Sequence, residues 1–190
     1  MNHEKVILAS ASPRRKELLL QIGIRPEIIP SHVEEKVTAK EPARVVEELS
    51  LQKARDVADG CGSGCLVIGA DTVVAVDGNI LGKPGDHEEA YRMIRSLAGR
   101  RHQVYTGVTV IGKQKDGEKT VTFSEETTVE VLPMSEEEMR EYAMSEEPMD
   151  KAGAYAVQGF FARYIGKLEG SYANVMGLPV SRLYQELKKF

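Results

Sequence analysis

Tryptophan is absent and aromatic residues make up only 6% of the chain, so a core has to rest on Val, Ile, Leu, Ala and Met. Cysteine is nearly absent too: Cys61 and Cys65, in Cys-Gly-Ser-Gly-Cys, are the only two. A zinc site would need two further ligands at suitable spacing, and His3, His32, His87 and His102 are scattered. Two reduced thiols in a glycine-rich turn is the simpler reading. There is no basic excess: 25 Lys and Arg against 29 Asp and Glu leave a net charge of −4. That argues against nucleic acid as a partner, because such binders carry a basic surplus or stripe. Any phosphate binding is expected at a few placed cations. Long apolar runs are missing as well. The first, Val6–Ala9, is too short for a signal peptide, and no run approaches the length of a membrane span. The expectation is a cytoplasmic protein with no membrane contact. Nor is there a Walker phosphate loop, a dinucleotide-binding glycine fingerprint or a nucleophile elbow.

What is present is ordinary globular composition, 42% hydrophobic and 28% charged over 190 residues, enough for one well-buried core. Val6–Ala9 reads as a short buried strand. Ser12-Pro13 then opens a helix with Leu18, Leu19 and Ile22 on one face and Gly23 as its stop. Pro26–Pro30 reads as a second strand, followed by a polar loop with Glu34, Glu35 and Lys36. Pro42 through Asp59 has a helical pattern, with Val45, Val46, Leu49 and Ala54 inward and Gly60 beyond. Leu66–Ala70 is an apolar strand running into Asp71-Thr72, and Val73–Val76 continues it to the Asp77-Gly78 hairpin signal. Asp86 with Glu89 marks a helix to Leu97, and Ser135 with Glu138 marks another ending before Pro148. Val104–Gly112 and Lys119–Val131 are expected to pair around Lys115-Asp116-Gly117. A strand near Phe161–Ile165 and a helix after Pro179 complete the chain. Interleaved helices, strands and hairpins predict an α/β fold with a mixed sheet rather than a purely parallel one.

Two stretches carry the strongest chemistry. In Ser10-Ala11-Ser12-Pro13-Arg14-Arg15-Lys16, three cations crowd the first turn of a helix, the end at which the macrodipole disfavours them. A phosphate chain docked on the free amides would explain them, and so would three solvated side chains on a surface turn. In Gly69-Ala70-Asp71-Thr72, an acid follows an apolar strand, where a carboxylate can hold Mg²⁺ or deprotonate water. Asp71 could equally be a turn residue. Glu34 and Glu35 are candidates for a second metal carboxylate, or a solvated pair. Lys83, in Leu-Gly-Lys-Pro, is either a site cation or a surface lysine. The small residues of Asp150–Tyr155, with Gln158-Gly159, would let backbone approach a ligand closely, or form a plain tight loop.

Taken together, these blocks resemble the Maf family of nucleotide pyrophosphatases. The likeness runs through Ser10–Arg15, Glu34-Glu35, Lys53-Ala54, Gly69–Thr72, Lys83-Pro84, Thr106-Gly107, Asp150–Tyr155 with Gln158-Gly159, and Gly177-Leu178-Pro179. The resemblance implies one domain over residues 1–190, with an elongated mixed sheet, flanking helices and two lobes around a cleft, like the inosine-triphosphate pyrophosphatases. It implies hydrolysis of a nucleoside triphosphate between the α and β phosphates. It identifies Asp71 as proton acceptor and Arg15, Glu35, Lys53 and Lys83 as further active-site positions, with Ser10 and Ser12 at the phosphates. Arg14, Thr72 and Gln158 match the branch acting on dTTP and UTP, and a carboxamide can both accept from the N3–H and donate to a ring carbonyl of uracil or thymine. Glu35 and Asp71 are expected to hold Mg²⁺ or Mn²⁺. The resemblance allows a homodimer, although no interface is legible. It also leaves a competing reading, a nucleotide-binding regulator of septum formation with little turnover, and a third, a phosphatase releasing orthophosphate.

Overall fold

The structure is a computed structural model that describes residues 5–115 and 117–190. His3 and Asp116, the latter in the expected Lys115-Asp116-Gly117 turn, lie outside the described residues. Among the described residues seven strands form one mixed sheet: β1 Lys5–Leu8, β2 Glu27–Ile28, β3 Cys65–Val76, β4 Asn79–Leu81, β5 Arg101–Gln114, β6 Gly117–Val131 and β7 Ile165–Glu169. The order is β2-β1-β3-β5-β6-β7, with β4 paired to β3. β1 lies parallel to β2 and β3, whereas β4 and β7 run antiparallel to their neighbours, so the sheet is mixed as the pattern predicts. Among the described residues six α-helices accompany it: α1 Pro13–Gln21, α2 Pro42–Asp59, α3 His87–Leu97, α4 Glu136–Ala143, α5 Tyr172–Met176 and α6 Val180–Leu187. No helix of the described residues is long and apolar enough to cross a membrane.

The chain divides into two compact units. The first comprises Met1–Asp71, Thr106–Glu125 and Gly177–Phe190, and the second Thr72–Tyr105 and Glu126–Met176. In the first, Ile7, Ala9, Val67 and Ile111 pack with Ala54, Val57 and Ala58 of α2. In the second, α3 and α4 pack on Val74, Val76, Val104, Val129 and Val131, together with Tyr155, Phe161 and Tyr164. With no tryptophan, this cluster of tilted and edge-on rings, Tyr142–Phe161, Tyr155–Phe161 and Phe161–Tyr164, supplies the large side chains.

Local chemistry explains most boundaries. Asp77 and Gly78 both take positive φ, 50° and 76°, the primed turn a two-residue hairpin needs, and Val76 faces Asn79 across it. Ser135 and Glu138 form a reciprocal capping box. The Asp86 signal is realised differently: Asp86 accepts the Glu89 amide, but the Glu89 carboxylate takes the amide of Gly85 rather than that of Asp86. Pro26–Pro30 shortens to the two residues of β2. The expected strand at Phe161–Ile165 is instead a 3-10 turn over Phe160–Tyr164, with β7 beginning at Ile165. The Glu147 carboxylate causes this, because it accepts the amides of Phe160 and Phe161 (2.8 and 3.3 Å) and turns an aromatic, strand-prone run helical.

His102 is wholly buried in the second unit, with Nε2 2.7 Å from the Tyr155 hydroxyl. Its Nδ1 has no hydrogen-bond partner among the described residues. Burial lowers its pKa to about 4, against roughly 6.5 in an unfolded chain. Between those values the unfolded chain binds a proton that the folded one refuses, so stability is complete above the higher value and falls as pH drops through the window. We expect a loss of roughly 2–3 kcal/mol from this residue between pH 7 and pH 4.5. Urea titrations at the two pH values read it, and a His102→Gln variant with the same pH slope would assign the loss elsewhere.

Candidate active site

The first unit gathers the N-terminus of α1, the loop before α2, one face of α2 and the first half of β3. Ser12 occupies the N-cap position and Pro13 the first helical one, as the sequence predicts, but the Ser12 side chain caps nothing and the first turn holds no acid. Ser10 does the local work instead. Its buried hydroxyl accepts the Ser12 amide (3.2 Å) and the Arg15 Nη1 (3.0 Å). Arg15 Nε donates to the carbonyl of Gly177 (2.9 Å), so a residue far along the chain fixes its fork. Burial lowers the pKa of the Arg15 guanidinium, while Asp71 and Glu35 pull it back up. It remains a cation at any working pH. Gly23, at φ +78°, closes α1: its amide and that of Ile24 return to the carbonyls of Leu20 and Leu19.

α2 lies directly on the sheet of this unit because two glycines leave room for it. A Cβ on Gly69 would stand 2.5 Å from the Ser50 carbonyl oxygen and 2.7 Å from the Ala54 nitrogen. One on Gly107 would overlap the backbone of Val46 and Glu47. A hydroxyl chain, Ser50–Thr109–Thr122, lines the same contact. This closeness brings Lys53 over the middle of β3, which continues past Asp71 to Val76 rather than ending there as the sequence suggests. The Lys53 ammonium meets Asp71 Oδ1 at 2.5 Å and Glu35 Oε1 at 2.8 Å. Lys53 and Asp71 are largely shielded, with side chains 18% and 15% exposed, whereas Glu35 is 48% exposed. Of the two adjacent loop acids, Glu35 is the one turned to this cluster.

Thr72, Lys83 and Gln158 belong to the second unit. Lys83 is exposed just beyond β4, and its neighbour Gly82 accepts the Gly153 amide at 3.0 Å. Gly153 takes φ +68°, with Val74 side-chain atoms 2.8 Å from where a Cβ would sit, which is the close backbone approach its small neighbours foretell. After the buried run Gly153–Val157, Gln158 is exposed. Sequence reasoning missed Glu147 and the acceptor role of Ser10. A signal for the first existed in Gly159, where a Cβ would meet the Glu147 carboxyl carbon at 2.5 Å.

Among the described residues no group of three or more His, Cys, Asp or Glu side chains could hold a metal ion, and the first unit offers two carboxylates. Two carboxylates end on one ammonium, so their oxygens lie no farther apart than the two contact distances together, and the ammonium stands where a cation between them would. Magnesium is commonly held by one or two carboxylates with phosphates completing its shell.

Over residues 5–190 the chain matches the profile of the Maf-like proteins. It is 51% identical over 186 residues to a dTTP/UTP pyrophosphatase of Carboxydothermus hydrogenoformans, covering 98% of each chain. It is 49% identical over 187 residues to a dTTP/UTP pyrophosphatase of Lachnoclostridium phytofermentans, covering 98% of this chain and 95% of that one. Among solved structures it resembles the Staphylococcus aureus Ham1 protein, with a TM-score of 0.52 and 15% identity over 98% of this chain and 99% of that one, a likeness of fold alone. The chain belongs to the Maf family.

Proposed function

We propose that the protein hydrolyses dTTP and UTP between the α and β phosphates, giving the nucleoside monophosphate and pyrophosphate. The observation that carries this reading is the Lys53 ammonium shared by Asp71 and Glu35, beside a fixed Arg15. Asp71 would take a proton from water as its oxygen attacks the α-phosphorus, and the bond to the bridging oxygen would break with its electron pair leaving on pyrophosphate. Arg15, Lys53 and Lys83 would neutralise the triphosphate, with Ser10 and Ser12 offering hydroxyl protons to phosphate oxygens. Glu35 and Asp71 would hold Mg²⁺ or Mn²⁺, which supplies further neutralisation of phosphate charge when bound. Arg14, Thr72 and Gln158 would select the base, the Gln158 carboxamide pairing with the N3–H and a ring carbonyl of a pyrimidine. A regulator that only binds nucleotide would need the cations but not the paired carboxylates.

The family match over residues 5–190 supports reading the chain as one domain. A cytoplasmic location suits a nucleotide substrate, and a homodimer is the assembly we expect from light scattering. A panel of triphosphates offered with Mg²⁺ or Mn²⁺ tests the activity. Pyrophosphate with UMP or dTMP is the expected outcome, and orthophosphate, or no product from any triphosphate, overturns it.

A further inference from the structure

The segment between β2 and α2 has no regular structure and carries Glu35. Connections of that length without secondary structure are uncommon inside compact domains unless they are functional or disordered. This one is laced to α2. Glu48, Gln52 and Asp56 stand four residues apart and so share one stripe of the helix. Asp56 Oδ2 accepts from the Ser31 hydroxyl (2.7 Å) and the His32 amide (3.0 Å). Gln52 Oε1 accepts the Lys36 amide (2.9 Å), and its Nε2 donates to the Lys36 carbonyl (2.7 Å). Glu48 accepts the amides of Thr38 and Ala39 (2.9 and 3.2 Å) and the Thr38 hydroxyl (2.6 Å). The loop therefore runs antiparallel to the helix over three rungs, and Glu35 sits next to the middle one.

We infer that Gln52 is a positioning residue for Glu35. A carboxamide can receive the N–H and supply a donor to the C=O of the same residue, which no carboxylate or ammonium does. It thus fixes the peptide units on both sides of Lys36, and one of these is the bond to Glu35. Lys53, the next residue of the helix, takes the Glu35 carboxylate, so two consecutive residues of α2 hold the backbone and the side chain of the same stretch. The outer rungs, Glu48 and Asp56, bound the segment that Gln52 holds. Preorganising Glu35 matters to catalysis only through the proposed function. The clamp itself rests on the hydrogen bonds.

The test compares Gln52→Ala with the unaltered protein. Amide hydrogen exchange over residues 34–38 is expected to speed up at least tenfold. The Mg²⁺ concentration giving half-maximal turnover should rise roughly tenfold, the lower end of what loss of a ligand-orienting contact costs, with turnover at saturating Mg²⁺ little changed. Gln52→Glu keeps the acceptor for the Lys36 amide and loses the donor, and should fall between the two in exchange. In a Glu35→Gln background the Gln52→Ala change should add no further shift in Mg²⁺ requirement. Unchanged exchange overturns the clamp, and a full further shift in the Glu35→Gln background overturns action through Glu35. An inactive wild-type protein would instead overturn the proposed function, and the exchange result would still decide the clamp.

Discussion

Asp71→Asn is expected to lower kcat by roughly three orders of magnitude while nucleotide still binds. The asparagine keeps the size of the side chain and a contact to Lys53, but it cannot accept a proton, and a positioned general base contributes roughly 10²–10⁴ in rate. Binding loses one of two metal carboxylates, but it also loses a repulsion. Asp71 is an anion in a site that must receive a polyanion, and removing it leaves Arg15 and Lys53 with less to neutralise. Pyrophosphate release and calorimetric titration with UTP separate the two quantities. Turnover within tenfold of the unaltered protein would remove Asp71 from the proton-accepting role.

The second large effect is expected at Gly69→Ala, which touches no substrate. The new methyl would press on the backbone of α2 at Ser50 and Ala54, on either side of Lys53, and backbone cannot swing away as a flexible side chain can. Overpacking of this kind costs about 1–3 kcal/mol or more, and in a chain of this size each kcal/mol moves Tm by about 2–4 °C. Because the helix has to retreat where Lys53 meets Asp71, kcat should fall together with Tm. Gly62→Ala is the control, since nothing lies within 4 Å of a Cβ there. Calorimetry and turnover showing Gly69→Ala no different from Gly62→Ala would mean that α2 can move off the strand without cost to the site.

Much of the fold was legible because its signals are local. α2 spans Pro42–Asp59 as the apolar spacing requires, and the hairpin at Asp77-Gly78 follows from two residues able to take positive φ. Where a distant group intervenes, local reading fails. The aromatic run at Phe160–Tyr164 reads as strand until the carboxylate of Glu147 reaches its amides. At the site, the residue types of Arg15, Lys53 and Asp71 were visible, but their meeting was not, since it depends on α2 lying against Gly69 and Gly107. Glu34 and Glu35 were indistinguishable as neighbours. Only the clamp at Lys36 and the position of Lys53 separate them.

The bond from Arg15 to the Gly177 carbonyl has a consequence for biosynthesis. The first unit is assembled from three separated stretches, of which Gly177–Phe190 is the last to be translated. While that stretch is still inside the ribosome, α1 and α2 have already emerged, but Arg15 has no acceptor at Gly177 and α6 is missing from its unit. The second unit, complete at Met176, has every stretch it needs before the first does. A nascent chain would therefore carry the lysine and both acids before the Gly177 carbonyl that holds the arginine, and the first unit would wait for its third stretch.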